Sequence, residues 1–330
     1  MATLVIDRSN IEVRSDGAAL AVYESGERRG SVPLKLLDRV VLQGTIRLDT
    51  GVLTRLAEAG VPTVLLGGRS SRRIAMLLGP AHRDASVRLA QFQAALDPAW
   101  CDAWSRRLIV GKTRAQLKLL QTALGERPAA RKPLFDAIQT IEGALHAMMD
   151  APNMAATSVR GIEGACAAAH FRGLASLFAE SLGFSGRNRR PPRDPVNAAL
   201  SLAYTLLHFD AVRASHAAGL DPLIGFYHRA AHGRESLACD LIEPLRPRAD
   251  GWVWSLFRDR QLRAEHFTMD KGACLLGKAG RDTFYASYER FAILPRRWLR
   301  RQCAALARLL RNKGEGLLDD GADKEEMENG

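Results

Sequence analysis

The chain has little cysteine. Five thiols are spread over 330 residues, at Cys101, Cys166, Cys239, Cys274 and Cys303. Their number is odd and no two lie close in sequence, which argues against a disulfide framework and against a zinc knuckle. Long apolar runs are also missing. The longest, Ala198–Leu207, spans ten residues and includes Ser201 and Thr205, too short for a bilayer. The amino terminus, Met1–Asp7, reads as a strand and lacks the pattern of a signal peptide. A soluble protein of the reducing cytoplasm, with no membrane association, is the expectation. No glycine-rich phosphate loop, serine-triad signature or internal repeat is found. Nor is there an aromatic-rich platform for single strands.

Positive charge is what the chain has in excess. Its net charge is +11, unevenly distributed. From Asn312 to Gly330, two lysines face seven acidic residues, a net of −5 that leaves +16 on the other 311 residues. So basic a body suits a polyanionic partner, nucleic acid being the commonest, although a basic surface can also serve solubility alone.

Hydrophobic period divides the chain. Thr3–Ile6, Ile11–Val13, Ala19–Tyr23, Arg39–Leu42, Pro62–Leu66 and Arg73–Leu77 are short apolar or β-branched segments separated by turn residues such as Asp16-Gly17 and Gly67-Gly68. One helix interrupts them, with Asp49 as N-cap and Gly60 as terminator. Beyond Gly79-Pro80 the period becomes helical almost to Arg311. The expected fold is α+β in two domains. Residues 1–80 form a small β-rich, sandwich-like domain. A linker covers 81–90, and a larger all-α domain, the candidate catalytic one for the residues it carries below, covers 91–311. Residues 312–330 form a disordered acidic tail.

Three stretches carry chemistry. Arg160-Gly161-Ile162-Glu163-Gly164-Ala165-Cys166 places a carboxylate among small residues, where it is either exposed or needs a cation. Gly219-Leu220-Asp221-Pro222-Leu223-Ile224-Gly225-Phe226-Tyr227-His228 ends an apolar segment on a histidine. In Ser236-Leu237-Ala238-Cys239-Asp240-Leu241-Ile242-Glu243-Pro244, the two carboxylates are three apart and share a helix face, and Pro244 ends or kinks that helix. Glu163, His228 and Asp240 can form a mixed oxygen–nitrogen site for Mg²⁺ or Mn²⁺. Equally, His228 can be a satisfied core histidine and Asp240 a cap or an ion pair.

These stretches, together with Asp194-Pro195-Val196-Asn197-Ala198-Ala199-Leu200-Ser201 and Val40-Val41-Leu42-Gln43-Gly44, resemble the CRISPR-associated integrase family, the metal-dependent subunit of CRISPR spacer adaptation. The resemblance extends to about Arg311. It implies Glu163, His228 and Asp240 as ligands of the catalytic ion, with Glu243 beside them as an outer or alternative ligand. Tyr227 replaces a leucine common in relatives. His170 is not carried over as a ligand, and His232 falls in a variable turn. The implied reaction is attack of a DNA 3′-hydroxyl on a phosphodiester of the CRISPR array, or hydrolysis when water attacks. The implied partners are double-stranded DNA (spacer precursor and repeat), a second copy in a homodimer, and a small ferredoxin-like subunit. A non-catalytic DNA-binding scaffold is the competing reading, and a hydrolase acting on RNA is a third.

Two basic stretches are expected to hold DNA. One is the proline-rich loop with Arg187, Arg189, Arg190 and Arg193. The other is a terminal helix, Pro295–Arg311, whose Arg297, Arg300, Arg301, Arg308 and Arg311 fall within one stripe of roughly 100°. Arg72, Arg73, Arg83 and Arg88 make a weaker third patch.

Overall fold

The computed structural model describes residues 2–8, 10–67, 72–79, 82, 84–188 and 191–314. The chain forms two compact units, 1–82 and 83–330.

The first unit contains β1 (Ala2–Ile6), β2 (Ile11–Asp16), β3 (Ala19–Glu24), β4 (Glu27–Pro33), β5 (Leu37–Gln43), β6 (Ile46–Leu48), helix α1 (Thr50–Glu58), β7 (Thr63–Gly67) and β8 (Arg72–Leu77). Two four-stranded sheets result, ordered β1-β5-β7-β8 and β4-β3-β2-β6. Alternating apolar residues from both sheets meet in one core, including Ile6, Val40 and Leu42 from the first and Ile11, Val13 and Leu20 from the second. Val52 and Leu56 of α1 close it. As expected, Asp49 caps α1, accepting a hydrogen bond from Val52 N at 2.8 Å. Gly60 ends the helix in the left-handed region at φ +65°. Strand β4 was not expected. Its sequence ERRGSVP lacks alternation, because its burial is slight and it lies at a sheet edge.

The second unit contains α2 (Ala85–Leu96), α3 (Pro98–Glu126), α4 (Arg131–Asp150), α5 (Ala156–Ala175), α6 (Pro195–Ala217), α7 (Ser236–Ile242), α8 (Arg246–Arg258), a hairpin of β9 (Phe267–Asp270) and β10 (Ala273–Leu276), and α9 (Lys278–Gly314). Helices α3, α4 and α5 pack on one another, and α6 is enclosed by α7, α8 and α9. The apolar run Ala198–Leu207 lies in α6, buried along much of its length. It is a core helix that is apolar nearly all round.

Two boundaries differ from expectation. Helix α2 begins at Ala85, inside the expected linker, because Asp84 caps it through Ser86 N at 3.0 Å. The second unit is helical as expected and carries one small ribbon, the β9–β10 hairpin. Helix α9 begins at Lys278 and continues through Pro295, where a start was expected. Of the tail, residues 312–314 are helical, and 315–330 lie outside the described residues.

Candidate active site

The apolar segment before His228 is fixed from four sides. Gln91 of α2 donates to the carbonyls of Asp221 (2.9 Å) and Ile224 (2.7 Å) and accepts from Asp221 N (2.8 Å). Phe226 sits edge-on against Trp100 and Trp104 of α3, and Tyr227 joins the core between α3, α4 and α5. Arg160 of α5 donates to the Tyr227 carbonyl at 2.7 Å. Gly225 lies so close to α7 that a Cβ there would stand 2.6 Å from Ser236 C and 2.9 Å from the His228 carbonyl.

Asp240 is the fourth side. Its carboxylate is fully buried. One oxygen accepts from Phe226 N (2.8 Å) and Tyr227 N (2.9 Å). The other accepts from His228 N (2.9 Å) and faces His228 Nδ1 at 2.7 Å. An oxygen that already accepts from a main-chain N–H accepts from His228 Nδ1–H as well, which leaves Nε2 with the imidazole lone pair.

Pro244 ends α7 as expected, and one tight turn, Glu243–Leu245, leads into α8. That turn swings Glu243 away from the surroundings of Asp240 and toward Lys112 of α3 and Glu163 of α5. The Lys112 ammonium binds both carboxylates, Glu163 through Oε1 and Glu243 through Oε2 at 2.6 Å. Arg246 Nε holds the other oxygen of Glu243 at 2.8 Å. Burial pushes the Glu243 carboxyl up, but Arg246 and Lys112 outweigh it and hold it at about 2. Burial likewise works against the Lys112 charge, and Glu243 and Glu163 overcome it, raising its pKa.

These groups line a cavity of about 220 Å³, whose wall includes Lys112, Glu163, His228, Glu243, Arg187 and Arg246. Asp240 is not on that wall. Elsewhere on the wall, Asp250 of α8 accepts from Tyr204 and lies 2.9 Å from His170 Nε2. Burial, reinforced by Asp250, keeps the Tyr204 phenol protonated far above its ordinary range. The Tyr204 ring carries the guanidiniums of Arg246 at 4.6 Å and Arg187 at 5.4 Å.

The sequence reading brought Glu163, His228, Asp240 and Glu243 to one place, and the structure does so too. Their surroundings differ in kind: Asp240 is held by main-chain N–H groups and His228, and Glu243 by Lys112 and Arg246. Among the described residues, no three His, Cys, Asp or Glu side chains converge closely enough to hold a metal ion as they stand. The donor chemistry nonetheless fits a divalent cation: two carboxylates already share one positive group, and an imidazole held by its Nδ1 lies on the same wall. Lys112, Gln116, Tyr204 and Arg246 were missed. A lysine amid a helix reads as surface, because its partners are distant in sequence.

Of the expected DNA-binding arginines, Arg187 reaches the cavity wall and anchors its loop on α6, donating to Asn197 Oδ1 (2.8 Å) and Ser201 Oγ (3.0 Å). Arg193 is exposed, and the Pro192 carbonyl beside it accepts from Cys274 N of β10 at 2.7 Å. Arg189 and Arg190 lie outside the described residues, as do Arg83 and the side chains of Arg72 and Arg73. Arg297, Arg300 and Arg301 are exposed on α9, whereas Arg311 pairs with Asp84 at 2.8 Å. His232 is exposed, and His170 is buried against Asp250. No helix among the described residues is long and apolar enough to cross a membrane.

Fold and cavity together define a class: an α+β protein whose helical unit presents acids, an imidazole and arginines to one substrate-sized space. The family model for CRISPR associated protein Cas1 matches residues 4–290. The CRISPR-associated endonuclease Cas1 1 of Thermodesulfovibrio yellowstonii is 39% identical over 293 residues, covering 88% of this chain and 91% of that protein. The fold resembles a casposase bound to its integration product, with TM-score 0.81, 20% identity and coverage of 96% and 92% of the two chains. It also resembles part of a Cas6-RT-Cas1–Cas2 complex, with TM-score 0.77, 22% identity and coverage of 94% of this chain and 35% of that one. The chain belongs to the Cas1 family of CRISPR-associated proteins.

Proposed function

We propose that this chain is the integrase and endonuclease subunit of CRISPR adaptation, inserting DNA fragments as new spacers into the array. The observation that carries this reading is the convergence of Glu163 and Glu243 on one positive group beside His228, in a chain 39% identical to a CRISPR-associated endonuclease.

Glu163, Glu243 and His228 Nε2 are the groups that would hold a divalent ion. Two carboxylates suit Mg²⁺ and Mn²⁺, and the imidazole favours Mn²⁺. Such an ion supplies Lewis-acid polarisation of a phosphodiester oxygen and neutralises charge that builds up in the transition state. Asp240 fixes the tautomer and direction of His228 and, being saturated with donors, takes no direct part. Arg246 and Arg187, steadied by Tyr204, face the same space and suit a phosphate. In strand transfer, a DNA 3′-oxygen bonds to phosphorus as the array's own 3′-oxygen leaves. One phosphodiester replaces another, so no nucleotide cofactor is needed. With water as nucleophile the product is a nick.

The exposed arginines of α9 and the loop containing Arg187 and Arg193 suit salt-sensitive, sequence-independent contact with duplex DNA. Assembly as a homodimer with a small ferredoxin-like partner, acting in the cytoplasm, completes the proposal.

The test mixes a labelled fragment bearing free 3′-hydroxyls with the small partner and a supercoiled plasmid carrying an array. Each of Mn²⁺, Mg²⁺ and EDTA is compared. Metal-dependent joining by the wild type, with none above background for Glu163→Gln, is the expected outcome. DNA binding without joining or cutting in any metal would leave the scaffold reading in its place.

A further inference from the structure

The Lys112 ammonium occupies the point on which Glu163 and Glu243 converge. A divalent ion bound by those carboxylates and the ammonium cannot share that point, since like charges a few ångströms apart repel strongly in a buried site. Lys112 must therefore have somewhere else to go. One turn along α3 on the same face lies Gln116, only 2% exposed and also on the cavity wall. Its Oε1 is buried and has no hydrogen-bond partner among the described residues. A buried acceptor left unpaired is costly. This one lies one helical turn from Lys112, the group that a bound ion would displace, on the same cavity wall.

We propose that Lys112 is an exchangeable counter-cation. Together with the Arg246 guanidinium, its ammonium offsets the charge of the Glu163–Glu243 pair until a divalent ion takes its place, and it then moves to Gln116 Oε1. No covalent bond is made or broken: Lys112 and Arg246 face the two carboxylates without the ion, and the ion itself brings the two positive charges when it is bound. The consequence is a site whose two carboxylates keep a positive partner between them without an ion, and whose affinity is lowered by competition from within. This rests on the metal-site reading above.

Mn²⁺ binding to the full chain, followed by electron paramagnetic resonance of the free ion, tests the exchange directly, with thermal melting in EDTA and in saturating Mn²⁺ beside it. Lys112→Met should bind Mn²⁺ at least about tenfold more tightly, a lower bound, because removing one charge near the ion at an effective dielectric of about 20 is worth more than a factor of ten. It should melt lower than the wild type in EDTA and gain more from Mn²⁺. Gln116→Leu should weaken binding severalfold, because the displaced ammonium loses its acceptor. That effect should vanish in the Lys112→Met background, which a merely structural glutamine would not produce. Equal Mn²⁺ affinity of Lys112→Met and wild type, or of Gln116→Leu and wild type, overturns the exchange. So does a Gln116→Leu effect that persists without Lys112. Glu163→Gln separates the two readings. If the wild type takes up no Mn²⁺, or Glu163→Gln takes it up equally well, the metal site falls and the exchange with it. A loss in Glu163→Gln with unchanged Lys112→Met removes the exchange alone.

Discussion

Asp240 is surrounded by backbone amides and Glu243 by cations, although one helical turn separates them. Asp240 accepts from three main-chain N–H groups and faces the ring of His228. Glu243 meets the ammonium of Lys112 and the guanidinium of Arg246. Both carboxylates are buried, so both need partners, but the partners differ in kind. Amides of a fixed loop cannot leave, so on the proposed reading Asp240 builds the site. Side-chain cations can be exchanged, so on that reading Glu243 is the acid that is free to bind. The two acids are alike in burial and spacing, and their partners are what set them apart.

The largest effect should come from breaking the amide side. Asp240→Ala leaves three buried N–H groups without an acceptor, at roughly 1–3 kcal/mol each. A loss of stability of about 3–5 kcal/mol is expected in denaturant melts. Asp240→Asn keeps acceptor capacity and should lose less. If Asp240→Ala melts like the wild type, the clamp on the His228 loop is not what holds that loop.

Next in size is Gly225→Ala. The added Cβ meets the backbone of Ser236 and His228, which cannot move aside as a flexible side chain would. A cost of about 1–3 kcal/mol is expected in the same melts, with strand transfer falling further than stability because His228 is re-aimed. An alanine variant of full activity would show that the close approach is not needed.

Smaller still is the effect of acid on Asp84, far from the cavity. Hydrogen bonds from Ser86 and Arg311 draw its carboxyl from 3.8 down to about 2, despite some burial. A depressed folded-state value means stability that is present above about pH 4 and is lost as the pH falls toward 2. After allowance for solvent screening, about 1–2 kcal/mol is at stake. The stability gap between wild type and Asp84→Asn should therefore shrink as the pH is lowered from 6 to 2. A gap independent of pH would assign the effect to packing.

The smallest effect belongs to the surface of α9. Arg300→Ala with Arg301→Ala should leave melting unchanged and reduce the salt slope of DNA binding by roughly 1–2 in log–log units. An unchanged slope would take that face out of the DNA path.

Much of this was legible in the sequence, for reasons that also explain what was not. Asp49, Val52 and Gly60 announced α1 because cap, apolar face and terminator act locally. Strand β4 was hidden because an edge strand with little burial needs no alternation. The β9–β10 hairpin escaped notice because its residues read as part of a helical series. Pro295 suggested a helix start, but the helix runs through it. At the site, the sequence motifs named Glu163, His228, Asp240 and Glu243, of which Glu163, His228 and Glu243 line the cavity. The spacing of three puts Asp240 and Glu243 on one helix face, and only the turn at Pro244 separates their surroundings. Lys112 could not be found from spacing, since its partners lie 51 residues away or more.

An anomalous difference map from crystals soaked in Mn²⁺ tests the central claim most directly. The expected result is one peak within about 2.2 Å of oxygens of Glu163 and Glu243 and of His228 Nε2, with Asp240 reaching it only through the histidine ring. A peak bonded to Asp240, with Glu243 still held by Lys112, would contradict it.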